Sequence, residues 1–175
     1  DDGPSIYTPR VLKTLKENNS VATFFVVGNR VPTYSDTVKK AHDMGCEIGN
    51  HTYEHKCLTR ISETEVRRQI SRTNKNVKKV TGQTPVIMRP TGGATNPNVK
   101  QWVGMPSIIW SIDTLDWKTR NAGSTKKAVL DHVKDGDIVL MHDLYSATAT
   151  ASETIIPELV RRGYQLVTVS ELAEC

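Results

Sequence analysis

Two histidines stand four residues apart in His51-Thr52-Tyr53-Glu54-His55, directly after an apolar run that ends at Asn50. At that spacing one helical turn would aim both imidazoles at a single ion. Alone the pair is weak evidence, because two histidines at this spacing are more often a surface accident. A carboxylate arriving from elsewhere in the chain changes the reading. Neutral imidazole nitrogens plus one Asp oxygen make a three-ligand set that suits Zn²⁺, with Co²⁺ and Ni²⁺ as alternatives, and leave a position open for water. The chain opens on such groups, in Asp1-Asp2-Gly3-Pro4. Neighbouring side chains on an extended segment point opposite ways, so one aspartate can face a metal and the other a reaction centre. An acidic turn without a role is the default for that tetrapeptide in isolation.

These residues need elements to hold them. Short β-branched runs at 22–28, 47–50, 86–89, 107–113, 137–142 and 165–169 read as strands. Helical spacing separates them. The first helix carries Val11, Leu12 and Leu15 and stops at Asn18-Asn19; a second covers Thr37 to Met44. A third opens on a Ser62/Glu65 capping box and runs to Gly82. A short fourth covers Asn98 to Val103, a fifth is N-capped by Ser124, and a sixth starts at a Thr150/Glu153 box and ends at Gly163. Ser170 to Glu174 reads as a last turn. Such alternation calls for parallel strands covered by helices. The expected fold is therefore α/β, a single-domain distorted (β/α) barrel, with an open flavodoxin-like sheet as the alternative. Polar residues fall where the apolar runs stop: His51 after Asn50, Arg89 at the end of its run, Asp113 and Asp116 after Ile112, and His142 after Met141. In a barrel those ends meet on one rim, where active sites are found.

Composition narrows the classes. A chain of 175 residues, 37% hydrophobic and 24% charged, has the profile of one well-buried globular unit. No apolar stretch approaches the length of a bilayer span. The net charge of +4 comes from scattered basic pairs on solvated helix faces, with no stripe suited to nucleic acid. Cys46, Cys57 and Cys175 form neither a disulfide framework nor a thiolate metal motif, and leave open one bridge with one free thiol. No export signal is visible, and the abrupt opening on two aspartates is expected to be a cut edge. Oligomeric state is left open.

Taken together, Asp1-Asp2-Gly3-Pro4, His51-x-x-x-His55, Arg89-Pro90-Thr91-Gly92-Gly93, Asp113-Thr114-Leu115-Asp116-Trp117 and Leu140-Met141-His142 resemble the five ordered motifs of NodB-type polysaccharide deacetylases, carbohydrate esterase family 4. The resemblance spans nearly the whole chain. It implies that Asp2, His51 and His55 bind a divalent metal, that Asp1 is the general base, and that Arg89 pairs with Asp1. It further implies that His142 is the general acid oriented by Asp116, that Trp117 and Leu140 enclose the acetyl methyl, and that the Gly92 amide helps hold the oxyanion. The implied partner is an acetylated polysaccharide, and the implied location is secreted or cell-wall associated. Amide hydrolysis needs an activated water, a place for negative charge and a proton for a poor leaving group. Histidine, with an unperturbed pKa of about 6.5, suits the last task.

Two departures bear on these expectations. Thr91 and Gly92 stand where the family has a second proline and an aromatic residue, so one wall of the sugar groove is expected to be open. The family also has a strand running into the first aspartate; here the N-terminal strand is expected to be missing or cut, with an α-ammonium beside the Asp1 carboxylate. An O-acetyl xylan esterase and a non-catalytic carbohydrate-binding pseudoenzyme are the alternatives. A two-carboxylate glycosidase has no need of paired histidines.

Overall fold

The computed structural model describes residues 1–174. Eight helices and four short strands alternate in it: α1 Thr8–Glu17, β1 Thr23–Val26, α2 Ser35–Asp43, β2 Glu47–Asn50, α3 Glu63–Thr81, α4 Pro97–Val103, β3 Ile112–Asp113, α5 Asp116–Thr119, α6 Ala122–Leu130, β4 Val139–Leu140, α7 Ser146–Arg161 and α8 Val169–Leu172. Every described pairing is parallel. β1 pairs with β2, Asn50 bridges to Met88, Met88 bridges to Ser107, and β3 pairs with β4. The expected runs at 86–89 and 107–113 are therefore real neighbours in the sheet, although regular pairing there shrinks to a bridge or two. At 165–169 no strand forms. Val169 N–H bonds the Thr23 hydroxyl and Val21 N–H reaches Leu166 O at 3.5 Å, so a side chain stands in for the backbone ladder. Between β1 and β4 lies a cavity lined by Ala22, Thr23, Phe25, Val139 and Met141.

The helices begin and end where local chemistry dictates, with three revisions. Ser62 Oγ accepts from Glu65 N, but the Glu65 carboxylate turns to Lys56, Arg68 and Gln69, so only half of the capping box forms. The N-cap of α6 is Asn121, which accepts from Ser124 N; Ser124 lies inside the helix. The sixth predicted helix, α7, starts a turn earlier than Thr150. Thr150 and Glu153 instead hold Arg10 of α1, a tertiary use of residues that read locally as a cap. The last turn carries a complete capping box between Thr168 and Glu171.

Three apolar clusters make the core. The largest joins Leu12, Leu15, Phe24, Val26, Val38, Ile48, Val77 and Ile156, tying α1, α2, α3 and α7 to the β1–β2 pair. A second holds Leu58, Ile70, Met88 and Val103, and a third seats Val129 against Ile155 and Leu159. Cys46 and Cys57 are free thiols; Cys175 lies outside the described residues.

Gly28 marks the closest approach of α3 to the end of β1. A Cβ there would lie 2.2 Å from Thr73 Oγ1 and 2.8 Å from Thr73 Cα. Gly28 also receives Asn76 Nδ2 on its carbonyl and gives its N–H to Thr52 O, beside the first histidine. Gly28→Ala is expected to push α3 outward and cost about 1–3 kcal/mol by overpacking, read as a lower urea midpoint with an unchanged m-value.

Candidate active site

His51 emerges from the end of β2 and is 2% exposed. Its Nδ1 lies 2.6 Å from Arg89 O. A carbonyl only accepts, so Nδ1 carries the hydrogen and Nε2 of the neutral ring presents a lone pair. That lone pair points at Asp2 Oδ1, 3.1 Å away, and His55 Nε2 lies 2.9 Å from the same oxygen. Burial pushes the His51 pKa below its ordinary value, which keeps the ring neutral despite the nearby carboxylate. Burial alone would raise the Asp2 pKa; it falls well below the usual range where positive charge lies on the imidazole side of the carboxylate. One donor atom from each of Asp2, His51 and His55 lies within 4.8 Å of the others. Facing acceptors of this kind repel unless a cation lies among them, and the donor set suits a divalent transition metal.

The backbone reaches this arrangement by a route the spacing did not predict. No helical turn covers 51–55. Thr52 has φ 65° and His55 φ 58°, and these two left-handed residues fold the loop so that both rings face Asp2. Asp2 is likewise left-handed, with φ 70°, so its separation from Asp1 arises from a turn and not from an extended strand. Gln69 on α3 clamps the histidine loop. Fully buried, it accepts the Tyr53 and Glu54 amides on Oε1 and donates from Nε2 to Glu54 and Glu65.

Asp1 lies alongside. Its Oδ1 accepts from Arg89 Nη1 at 2.9 Å, both side chains being 4% exposed, and its Oδ2 is 3.8 Å from His51 Nε2. Arg89 is anchored by a bond from Nε to Ile108 O and by stacking over Phe25, 4.3 Å from the ring centroid. Burial lowers its pKa to about 10, which leaves it charged at neutral pH. The Asp1 nitrogen, expected beside the Asp1 carboxylate, does not pair with it. It donates to Met141 O at 2.9 Å, with Asp143 Oδ1 3.8 Å away.

Met141 leads directly to His142. His142 Nδ1 lies 2.7 Å from Asp116 Oδ1, and the His142 amide donates to Oδ2 at 2.8 Å. Thr148 Oγ1 also donates to Oδ2, at 2.6 Å, and Trp117 N to Oδ1. Asp116 is 1% exposed. Burial pulls its pKa upward, but these hydrogen bonds outweigh it and leave the carboxyl below its ordinary value. Asp113 accepts from Leu115 N and so caps the turn that carries Asp116. Among the remaining expected residues, Leu140 is buried, Trp117 is 46% exposed, and Gly92 sits exposed in a 3₁₀ turn at φ 63°. Trp110 packs its ring against Gly93 in that turn.

Sequence reasoning passed over three residues that this geometry brings in: Gln69, Asp143 and Thr148. Asp143 accepts from Thr8 Oγ1 at 2.6 Å and packs so tightly on Gly3 that a Cβ there would meet its carboxylate at 2.3 Å. The adjacency His142-Asp143 was a usable signal. Gln69 and Thr148 had none, since each acts only through tertiary contact.

The polysaccharide deacetylase family model matches residues 1–104, and the peptidoglycan-N-acetylglucosamine deacetylase PgdA of Listeria monocytogenes is 47% identical over 98% of this chain. The chain belongs to the polysaccharide deacetylase family. It spans 37% of that relative's length. The structure of peptidoglycan deacetylase PdaC from Bacillus subtilis superposes with a TM-score of 0.98 at 39% identity, covering 99% of this chain and 87% of that one. A family 4 acetyl xylan esterase from Clostridium thermocellum in complex with a cobalt ion gives a TM-score of 0.93 at 35% identity, with 99% and 87% covered. The expected barrel is thus the fold of this chain, and the resemblance to carbohydrate esterase family 4 holds. Asp116 and His142 lie beyond the residues that the family model matches, yet on the rim that its motifs build.

Proposed function

We propose that residues 1–175 form a catalytic domain that removes N-acetyl groups from a polymeric carbohydrate, with N-acetylglucosamine of peptidoglycan as its substrate. What carries the reading is the convergence of Asp2, His51 and His55 beside the Asp1–Arg89 pair, on the rim that also bears Asp116–His142. Asp2, His51 and His55 would hold a divalent cation, Zn²⁺ first among candidates. Bound there, such an ion lowers the pKa of water to roughly 7 and polarises a carbonyl.

The remaining work falls to the chain's own groups. The Asp1 carboxylate, fixed by Arg89, takes a proton from the attacking water. The Gly92 amide donates to the carbonyl oxygen as negative charge develops there. His142, aligned by Asp116, protonates the departing nitrogen, so acetate and a free amine leave. Trp117 and Leu140 enclose the acetyl methyl. Peptidoglycan is favoured by what relatives such as PgdA and PdaC are named for. A protein acting on that polymer works outside the membrane, secreted or held at the wall. No helix of the described residues is long and apolar enough to cross a bilayer.

The test is acetate release from peptidoglycan, chitooligosaccharides and acetylated xylan, after chelation and after return of Zn²⁺, Co²⁺ or Ni²⁺. Metal-restored release from the first two is the expected result. Release from xylan alone would make the chain an ester hydrolase, and none from any substrate would remove the proposal.

A further inference from the structure

Arg120 and Tyr145 form a pair on the rim to which the acid–base chemistry gives no task. Arg120 follows α5 with a left-handed backbone, φ 48°, and is exposed. Its Nε donates to Trp117 O at 2.8 Å, and its Cζ lies 3.5 Å from the centre of the Tyr145 ring. That ring is 6.1 Å from the His142 ring, tilted by 46°. A single aromatic ring therefore separates a fixed positive charge from His142.

Arg120 shares its mode of support with Arg30, which donates from Nε to Pro4 O with its guanidinium 5.6 Å from the Tyr34 ring, and with Arg72, stacked 3.7 Å from the Tyr53 ring; what sets Arg120 apart is that its aromatic support also faces His142. Arg10, Arg67, Arg68, Arg161 and Arg162 each reach a glutamate, and Arg89 is neutralised by Asp1. Arg120 is held by a carbonyl and an aromatic face, neither of which cancels its charge. Its two Nη nitrogens have no hydrogen-bond or ion-pair partner among the described residues. A guanidinium so fixed presents a planar fork that matches a carboxylate. Of the carboxylates around it, Asp1 is paired with Arg89 and Asp116 is hydrogen-bonded to His142, so among the described residues Arg120 is the rim cation left open to an incoming anion.

We propose that Arg120, backed by Tyr145, receives a carboxylate carried by the glycan close to the acetamide being cleaved. The site then prefers an acidic, muramic-acid-type strand over a neutral chain of the same length. The inference rests on the deacetylase reading and adds the charge of the substrate to it.

Two sources offer that carboxylate: the lactyl ether of the sugar, or a peptide stem that amidates it and carries carboxylates further out. Three oligosaccharides of equal length separate them: one of N-acetylglucosamine only, one alternating with muramic acid whose lactyl group is free, and one bearing peptide stems. In Arg120→Gln the kcat/KM ratio of an acidic over the neutral substrate is expected to fall about tenfold, through KM and with kcat little changed, and Arg120→Lys should restore part of it. A fall confined to the free lactyl substrate or to the stem-bearing one identifies the source. Titration of the same proteins with the same glycans gives a second readout that needs no turnover. If wild type releases no acetate from any oligosaccharide, the deacetylase reading fails, while a charge preference in binding that Arg120→Gln removes would still support this one. Equal ratios in wild type and Arg120→Gln, in both turnover and binding, would overturn it.

Discussion

Asp2→Asn is expected to bind Zn²⁺ at least about a hundredfold more weakly than wild type. Changes to groups that merely support metal ligands typically cost 10–100-fold in affinity, and Asp2 is itself the sole anion of the donor set. Its Oδ1 touches both imidazoles, so loss of the charge leaves two neutral rings and a short amide. Asparagine is the informative replacement because it tolerates the left-handed backbone at φ 70°, whereas alanine would add strain to the loss of a ligand. At a Zn²⁺ concentration that just saturates wild type, acetate release should fall by a similar factor. Calorimetric titration checks the affinity separately from turnover, and wild-type affinity in Asp2→Asn would remove Asp2 from the ligand set.

Asp116→Asn is the second large effect, with kcat expected to fall by roughly 10²–10⁴-fold. Asp116 takes four hydrogen bonds, two on each oxygen, all from donors. An asparagine offers one oxygen and one NH₂ group, so whichever way it turns, a donor faces a donor beside His142. The imidazole loses its alignment while the fold persists, because the three apolar clusters do not include this residue. The same substitution has a pH signature in stability. The Asp116 pKa is lower in the folded protein than in the unfolded chain. Its stabilising contribution is therefore complete above the unfolded value, about 3.9, and is lost as pH falls through the folded value. The stability gap between wild type and Asp116→Asn should be open at pH 7 and close below about pH 4. A gap of constant size across urea titrations over this range would contradict that.

How much of this was legible depended on whether the deciding interaction was local. Arg89 and His142 announced themselves because each closes an apolar run, and in parallel α/β folds such ends share a rim. The same logic placed His51 at the end of β2. The path between His51 and His55 was misread. Spacing suggested a helical turn, yet Thr52 and His55 both take left-handed backbone, a choice stabilised from α3 by Gln69 and from the segment after β1 by the Gly28–Thr52 bond. Thr150 and Glu153 fit a helix cap in sequence and were claimed by Arg10, more than 130 positions away. Strand lengths were overestimated where pairing is reduced to bridges at Met88 and Ser107. Gln69 and Thr148 carry no periodic or motif signal at all, since their partners, the Tyr53 and Glu54 amides and Asp116, are distant in the chain.

Arg89 serves two groups at once. Its carbonyl fixes the Nδ1 face of His51, and its guanidinium fixes the carboxylate of Asp1. Both contacts leave the same residue, so when the rim breathes, the imidazole and the carboxylate travel as a coupled pair and their spacing is preserved. A disturbance of the chain near Met88 would accordingly spoil alignment of both partners together, and no repair confined to either one could restore the register.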